Sequence, residues 1–258
     1  MNSSDFVCIS PCQGAKPDQF LWACQLVLGG QHQRIGIGSL GEKPLHAIIK
    51  NYLEPNPQNQ EVAVQSHIAD IFNRYGIIEI QTGSFGKINK KLQLLLPDYP
   101  ITLVYPAAVK KTITWIDPAT GEAVQTRQSP KHDNGLSVFY QLPYIKPENR
   151  CHNNLHLCIL QLAVHETKLK NGYGKNQKKR AQRTGYTPVG LHGQVYFKQI
   201  KQLSRLLPFA PQEEFDVAML QHRANISRVL AQRVCKVLTD CGALMRDKQG
   251  RKYLYKIL

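Results

Sequence analysis

The sequence predicts a mixed α/β (α+β) fold followed by a strongly basic unit of helices and a terminal hairpin. Three observations lead there. Of the 258 residues 42% are hydrophobic and 20% charged, which is the balance of a chain that buries a core. Between residues 42 and 106, stretches with helical spacing of apolar residues exchange with short extended ones. Charge is one-sided. Residues 1–145 carry 12 Lys and Arg against 11 Asp and Glu, a net of +1, whereas residues 146–258 carry 21 against 7, a net of +14. A field concentrated in this way attracts polyanions. The chain is accordingly divided at 1–150 and 151–258.

In EKPLHAIIKNYL (42–53), Leu45, Ile48, Ile49 and Leu53 recur at helical spacing, the PNP of 55–57 stops the helix, and Glu42 suits its positive end. EVAV (61–64) and HIADIF (67–72), two residues apart, read as a hairpin, and IIEIQT (77–82) as a third strand. FGKINKKLQLLLPD (85–98) reads as a helix with Ile88, Leu92, Leu95 and Leu96 on one side and Lys87, Lys90 and Lys91 near another. The apolar ITLVYP (101–106) suits a buried central strand, and 111–127 a hairpin turning at PATG. FLWACQLVLGG (20–30) fits either a strand or a short helix.

LHLCILQLAVHETKL (155–169) alternates as a strand does, and 170–185, with six Lys or Arg, three glycines and no acid, reads as a flexible basic hairpin tip. An amphipathic helix at 197–207, helices at 216–223 and 226–244, and a polar turn leading into a strand (246–258) then follow in the order of a winged helix. In the longer helix, Val229, Leu230, Val234, Val237 and Leu238 are expected inside, with Arg228, Arg233 and Lys236 outside.

No apolar run approaches the roughly 20 residues of a membrane span, and the amino terminus lacks a basic patch leading into an apolar stretch. A cytoplasmic location is expected. Seven scattered cysteines suit reduced thiols better than a disulfide frame. Neither Cys8 with Cys12 nor the Cys151, His152, His156, Cys158 group has the paired spacing of a structural zinc site.

Side chains two apart on a strand face the same way, so Glu79 and Gln81 project together. If the strand carrying Asp70 pairs with theirs, Asp70 and Glu79 approach each other. With Glu42 and the Ile80 carbonyl they would make a hard oxygen site for Mg2+ or Mn2+, able to lower the pKa of water and polarise a phosphodiester. Solvated carboxylates on a half-exposed sheet are the plainer alternative. Against it stands the polarity of Glu79 and Gln81 inside a run that otherwise wants burial.

GEKPLHAIIK (41–50), HIADIF (67–72), IIEIQTGSFGKINKKLQLLL (77–96), ITLVYP (101–106) and RQSPK (127–131) together resemble a group of uncharacterised bacterial proteins of the PD-(D/E)XK, or restriction-endonuclease-like, nuclease superfamily. The resemblance covers residues 36–145 and, more loosely, a basic winged-helix-like carboxy terminus. It implies a mixed central sheet flanked by helices. It also implies that Glu42 is the acidic residue of the first core helix and that Asp70 and Glu79 are the metal-binding carboxylates. Gln81 stands where the superfamily most often has lysine, and a neutral amide cannot offset transition-state charge. Lys87 is the replacement lysine expected from the following helix, with Lys90 or Lys91 behind it. A proline before Asp70 is also missing.

The leading functional expectation is a Mg2+-dependent deoxyribonuclease acting on double-stranded DNA, with a homodimer allowed. Arg127 and Lys131, the tip residues Lys178, Lys179, Arg180 and Arg183, the helix residues Arg228, Arg233 and Lys236, and Arg246, Lys248, Arg251 and Lys252 would contact phosphates. A non-catalytic DNA-binding protein on the same scaffold is the alternative, for which Gln81 is the best argument. RNA is a third, less favoured because aromatic residues are not interleaved with the charges.

Overall fold

The computed structural model describes residues 14–29, 43–130, 133–170, 182–250 and 252–258. Helix α1 (Pro17–Gly29) settles the reading of 20–30 as helical, and α2 (Lys43–Leu53) follows the predicted periodicity. Strands β1 (Gln60–Val64) and β2 (His67–Asn73) form the expected hairpin, turning at Gln65 in the left-handed region. Strand β3 (Gly76–Ile80) pairs antiparallel with β2. Gly76 is required there: its φ is +102°, and a Cβ would lie 2.4 Å from the Pro100 carbonyl oxygen. That close approach lets the Ile77 amide donate to Pro100 and start the parallel ladder with the next strand.

A 3-10 turn (Phe85–Ile88) leads into α3 (Asn89–Leu95), and β4 (Ile101–Ile116) runs through the middle of the molecule. At about 3.3 Å per residue its 16 residues span roughly 50 Å. Its first part pairs with β3 and its last part with β5 (Ala123–Gln128) along the same edge. Pro106 falls between the two. Gln81 donates to the Val104 carbonyl across this edge, and position 106 faces the same way, so its missing N–H costs no strand bond. After 3-10 turns at Leu136–Tyr140 and Leu142–Tyr144 and the single-turn α4 (Pro147–Arg150), β6 (Leu155–Leu169) pairs parallel with β4 over nearly its whole length. β7 (Gln182–Phe197) then returns antiparallel.

The result is mixed α+β: a seven-stranded mixed sheet, order β1-β2-β3-β4-β6-β7 with β5 beside β4, flanked by helices. One face packs on α1 and α2 through Phe20, Ile48, Ile49, Ile78 and Leu160. The other packs on α3, the turns of 136–144 and the carboxy-terminal elements. These are a 3-10 turn (Ile200–Leu206), the short β8 (Glu214–Phe215), α5 (Val217–Arg223), α6 (Arg228–Asp240), β9 (Leu244–Gln249) and β10 (Lys252–Ile257). Their three strands form a second sheet, β8-β10-β9. Asp216 and Ser227 cap α5 and α6, accepting from Met219 and Leu230 amides.

Several expectations require correction. The division at residue 150 does not follow the fold. β6 and β7 complete the main sheet, and one apolar cluster runs from Leu103 and Phe139 through Leu230, Val234 and Tyr255. Charge marked a boundary that the hydrogen-bonding pattern ignores. The helix expected at 197–207 is instead the end of β7 and a 3-10 turn. Val229 is 54% exposed, while Ala231 and Cys235 take the inner positions of α6. The basic tip lies outside the described residues at 171–181; its arms pair as far as Leu169 and Gln182.

His156 is buried on β6 with Nδ1 against the Tyr196 hydroxyl. Burial, then the Lys198 charge, pushes its pKa down to about 4. The unfolded chain binds a proton that the folded one refuses between about 4 and 6.5, so this group makes stability rise with pH across that window. Other groups, Glu79 among them, titrate in the same range, so the test is a difference. Between pH 7 and pH 4 the change in unfolding free energy of wild type and of His156→Asn should differ by about 3 kcal/mol, wild type losing more or gaining less. An unchanged pH slope in the variant would contradict this.

Candidate functional site

The β2–β3 ladder stops at the pair Ile71–Ile78. Beyond it side chains replace strand bonds: the Asp70 Oδ2 accepts from the Ile80 amide at 2.7 Å, and the Asp70 amide donates to Glu79 Oε1 at 3.3 Å. The two strands fork here because carboxylates have taken the backbone partners. Asp70 and Glu79 are therefore brought together, as the alternation predicted.

Two further residues complete the cluster. His46 Nε2, from α2, lies 3.2 Å from Asp70 Oδ2. The Lys91 ammonium, from α3, binds Glu79 Oε1 and donates to the Ile68 carbonyl at 2.6 Å. Lys91 lies three residues after Ile88 and four before Leu95, so it borders the buried stripe of its helix and its stem can follow that stripe inward. Lys87 and Lys90 are exposed. The lysine that meets the acids is not Lys87 but Lys91, one of the two placed behind it, and grouping all three lysines on an outer face misjudged its position. His46 was missed, although it sits inside the quoted GEKPLH motif, because periodicity marked only the apolar face of α2.

The electrostatics differ between the two acids. Glu79 is 4% exposed, and burial, followed by the Asp70 charge, pushes its pKa up to about 7 against the pull of Lys91. Burial also pushes Asp70 upward, but His46, the Ile80 amide and Lys91 outweigh it and hold the carboxyl below its usual range. Gln81 is half-buried just past β3. Glu42 lies outside the described residues, among which no group of three or more His, Cys, Asp or Glu is placed to hold a metal ion. Along β4 between its β3 and β5 pairings, the Asp133 amide donates to the Ala108 carbonyl, the Ser137 hydroxyl bonds the Asp133 carboxylate, and the Tyr105 hydroxyl lies 2.8 Å from Ser137 Oγ. That relay carried no sequence signal, since its members come together only across the sheet.

The basic candidates fall into two groups. Arg127 on β5 and Arg183 on β7, the latter 5.2 Å over the Tyr186 ring, stand exposed on the far part of the main sheet. Arg228 and Lys236 share the outer strip of α6, and Arg246, Lys248 and Lys252 are exposed on the terminal hairpin. Arg233 does not join them. Its guanidinium donates to the Tyr140 carbonyl at 2.8 Å and stacks by the Tyr140 and Tyr144 rings, fastening α6 to the core. Lys131, Lys178, Lys179, Arg180 and Arg251 lie outside the described residues.

Fold and site together define a mixed α+β protein with a two-carboxylate, one-lysine cluster at the fork of its sheet. Residues 43–198 match the family described as a domain of unknown function (DUF8091), and the chain belongs to that family. The match runs from α2 to one residue past β7, the whole main sheet and the cluster included. An uncharacterized protein of Treponema pallidum (strain Nichols) is 27% identical over 145 residues, 56% of this chain; the chain spans 57% of that relative's length. No solved structure matches. Among the described residues no helix is long and apolar enough to cross a membrane.

Proposed function

We propose that the chain is a divalent-metal-dependent nuclease acting on double-stranded DNA. The observation that carries this reading is the convergence of Asp70, Glu79 and Lys91 at the forked end of β2 and β3. The donor set fits a hard cation. Two adjacent carboxylates offer oxygen ligands, and Glu79 is held in a buried setting beside the Asp70 charge, which a cation would relieve. Asp70 and Glu79 would hold Mg2+ or Mn2+, with Glu42 the candidate third carboxylate. A bound ion would supply polarisation of the phosphodiester and of the attacking water.

The chain's own residues do the rest. His46 and the Ile80 amide fix the Asp70 carboxylate, so its orientation is set before substrate arrives. Lys91 supplies the cationic group that Gln81 cannot, on an ammonium paired with Glu79. Phosphates would be gripped by Arg127 and Arg183 on the long sheet and by Arg228, Lys236, Arg246, Lys248 and Lys252. The order 3-10 turn, short strand, two helices, hairpin in residues 200–257 supports a winged-helix grip on the duplex.

A non-catalytic DNA-binding protein is favoured by a different observation: Lys91 and His46 already partner the two acids, so neither requires an ion. Supercoiled plasmid incubated with Mg2+ or Mn2+ separates the readings. Nicked or linear product that EDTA suppresses is expected, and Lys91→Ala should slow its formation by about a hundredfold or more. No product with either ion, beside DNA binding that weakens steeply with salt, would overturn the nuclease reading and leave the binding protein. Truncation at residue 150 is no test, because it removes the central strand β6.

A further inference from the structure

Cys151 and Cys241 lie 90 residues apart in sequence with their sulfurs 3.0 Å apart in space. Cys151 follows α4, and Cys241 is the residue that ends α6. We propose that these two thiols form a reversible disulfide that locks α6 onto the sheet core, with a low-molecular-weight disulfide as oxidant.

The contact is built rather than accidental. The Cys151 amide donates to the Pro147 carbonyl and the Cys241 amide to the Val237 carbonyl, so each backbone is fixed at the end of its helix. Next to them the buried Arg150 bonds Asp240 at 2.8 Å, which ties the residue before each cysteine to the other. The sulfurs need close only about 1 Å to reach the bond length of about 2.05 Å. Cys24, Cys158 and Cys235, by contrast, are buried in the core.

Access is asymmetric. Cys151 is exposed and Cys241 half-buried, at a small open pocket of about 100 Å³ lined also by Arg150, His152, Asn153 and Gln199. Burial, followed by the neighbouring Cys151 thiol, pushes Cys241 up to about 12. Cys151 is therefore the attacking thiolate. It displaces one RS− from RS–SR and becomes a mixed disulfide. Cys241 then loses its proton, attacks the Cys151 sulfur and expels the second RS−. Two protein thiols are oxidised, RS–SR is reduced, and the two released protons leave as two RSH.

The lock joins α4, at the base of β6, to the helix that carries Arg228 and Lys236. Its formation does not depend on the nuclease reading. The test is to incubate the intact protein with oxidised glutathione and map its peptides without reduction. Expected are the loss of two hydrogens, a Cys151–Cys241 linked peptide, and a Tm several degrees higher that dithiothreitol returns to its starting value. Cys241→Ser should stop at a glutathione adduct on Cys151, and Cys151→Ser should give no linked peptide. A wild-type protein that ends as a glutathione adduct on Cys151, or links other cysteines instead, would overturn the proposal. So would a linked peptide with unchanged Tm, since the lock would then restrain nothing.

Discussion

On the proposed nuclease reading, alanine at Asp70 or at Glu79 is expected to reduce metal-dependent plasmid cleavage by at least about a hundredfold, because each would remove an oxygen ligand from a cation whose charge the reaction needs. DNA affinity measured by fluorescence anisotropy should stay within a fewfold of wild type, since the residues proposed to contact phosphates lie on β5, β7, α6 and the terminal hairpin. The two substitutions are not equivalent for folding. Glu79→Ala strands the Lys91 ammonium, whose side chain is only 13% exposed, whereas Asp70→Ala loses a carboxylate that is partly solvated. Asp70→Asn and Glu79→Gln, which keep a polar group in place, should lose activity with less loss of stability. Cleavage that survives all four variants would mean that the reaction belongs elsewhere in the molecule.

The largest effect on stability is expected at Asp240. Its carboxylate is the charge partner of Arg150, whose side chain is 3% exposed and whose Nη1 also donates to the Leu142 and Ile145 carbonyls. Asp240→Ala leaves a buried guanidinium without its counter-charge, a change that costs about 3–5 kcal/mol. Lys236 bonds the same carboxylate but its side chain is 71% exposed, so Lys236→Ala should change unfolding by less than about 0.5 kcal/mol. Denaturant titrations of the two variants test this contrast directly. Equal effects would show that Arg150 finds compensation elsewhere, and a small effect at Asp240 would remove the ion pair as what holds α6 in place.

Much of the fold was legible because it rests on local periodicity. The apolar spacing of Leu45, Ile48, Ile49 and Leu53 specified α2, and the alternation of HIADIF and IIEI placed Asp70 and Glu79 on facing strands. The class, a mixed sheet with helices on both faces, follows from such patterns. Which lysine meets the acids does not. Lys87, Lys90 and Lys91 are equivalent as letters, and only the packing of α3 against the sheet turns one of them inward. Arg233 illustrates the reverse error: helical spacing made it a surface residue, yet Tyr140 and Tyr144 of a distant segment rise to meet it.

The sequence by itself determined the helix of α2 and the strands β1, β2 and β3, that two acids face each other across a hairpin, and that positive charge gathers in the second half. Tertiary structure alone decided that residues 155–197 finish the same sheet as residues 60–128, that Lys91 and His46 partner the acids, and that Cys151 meets Cys241. The physical reason is one of range. Hydrophobic spacing is written over a few neighbouring residues, whereas a charge pair or a sulfur contact between residues 90 apart depends on how sheets and helices stack, and no local pattern encodes that.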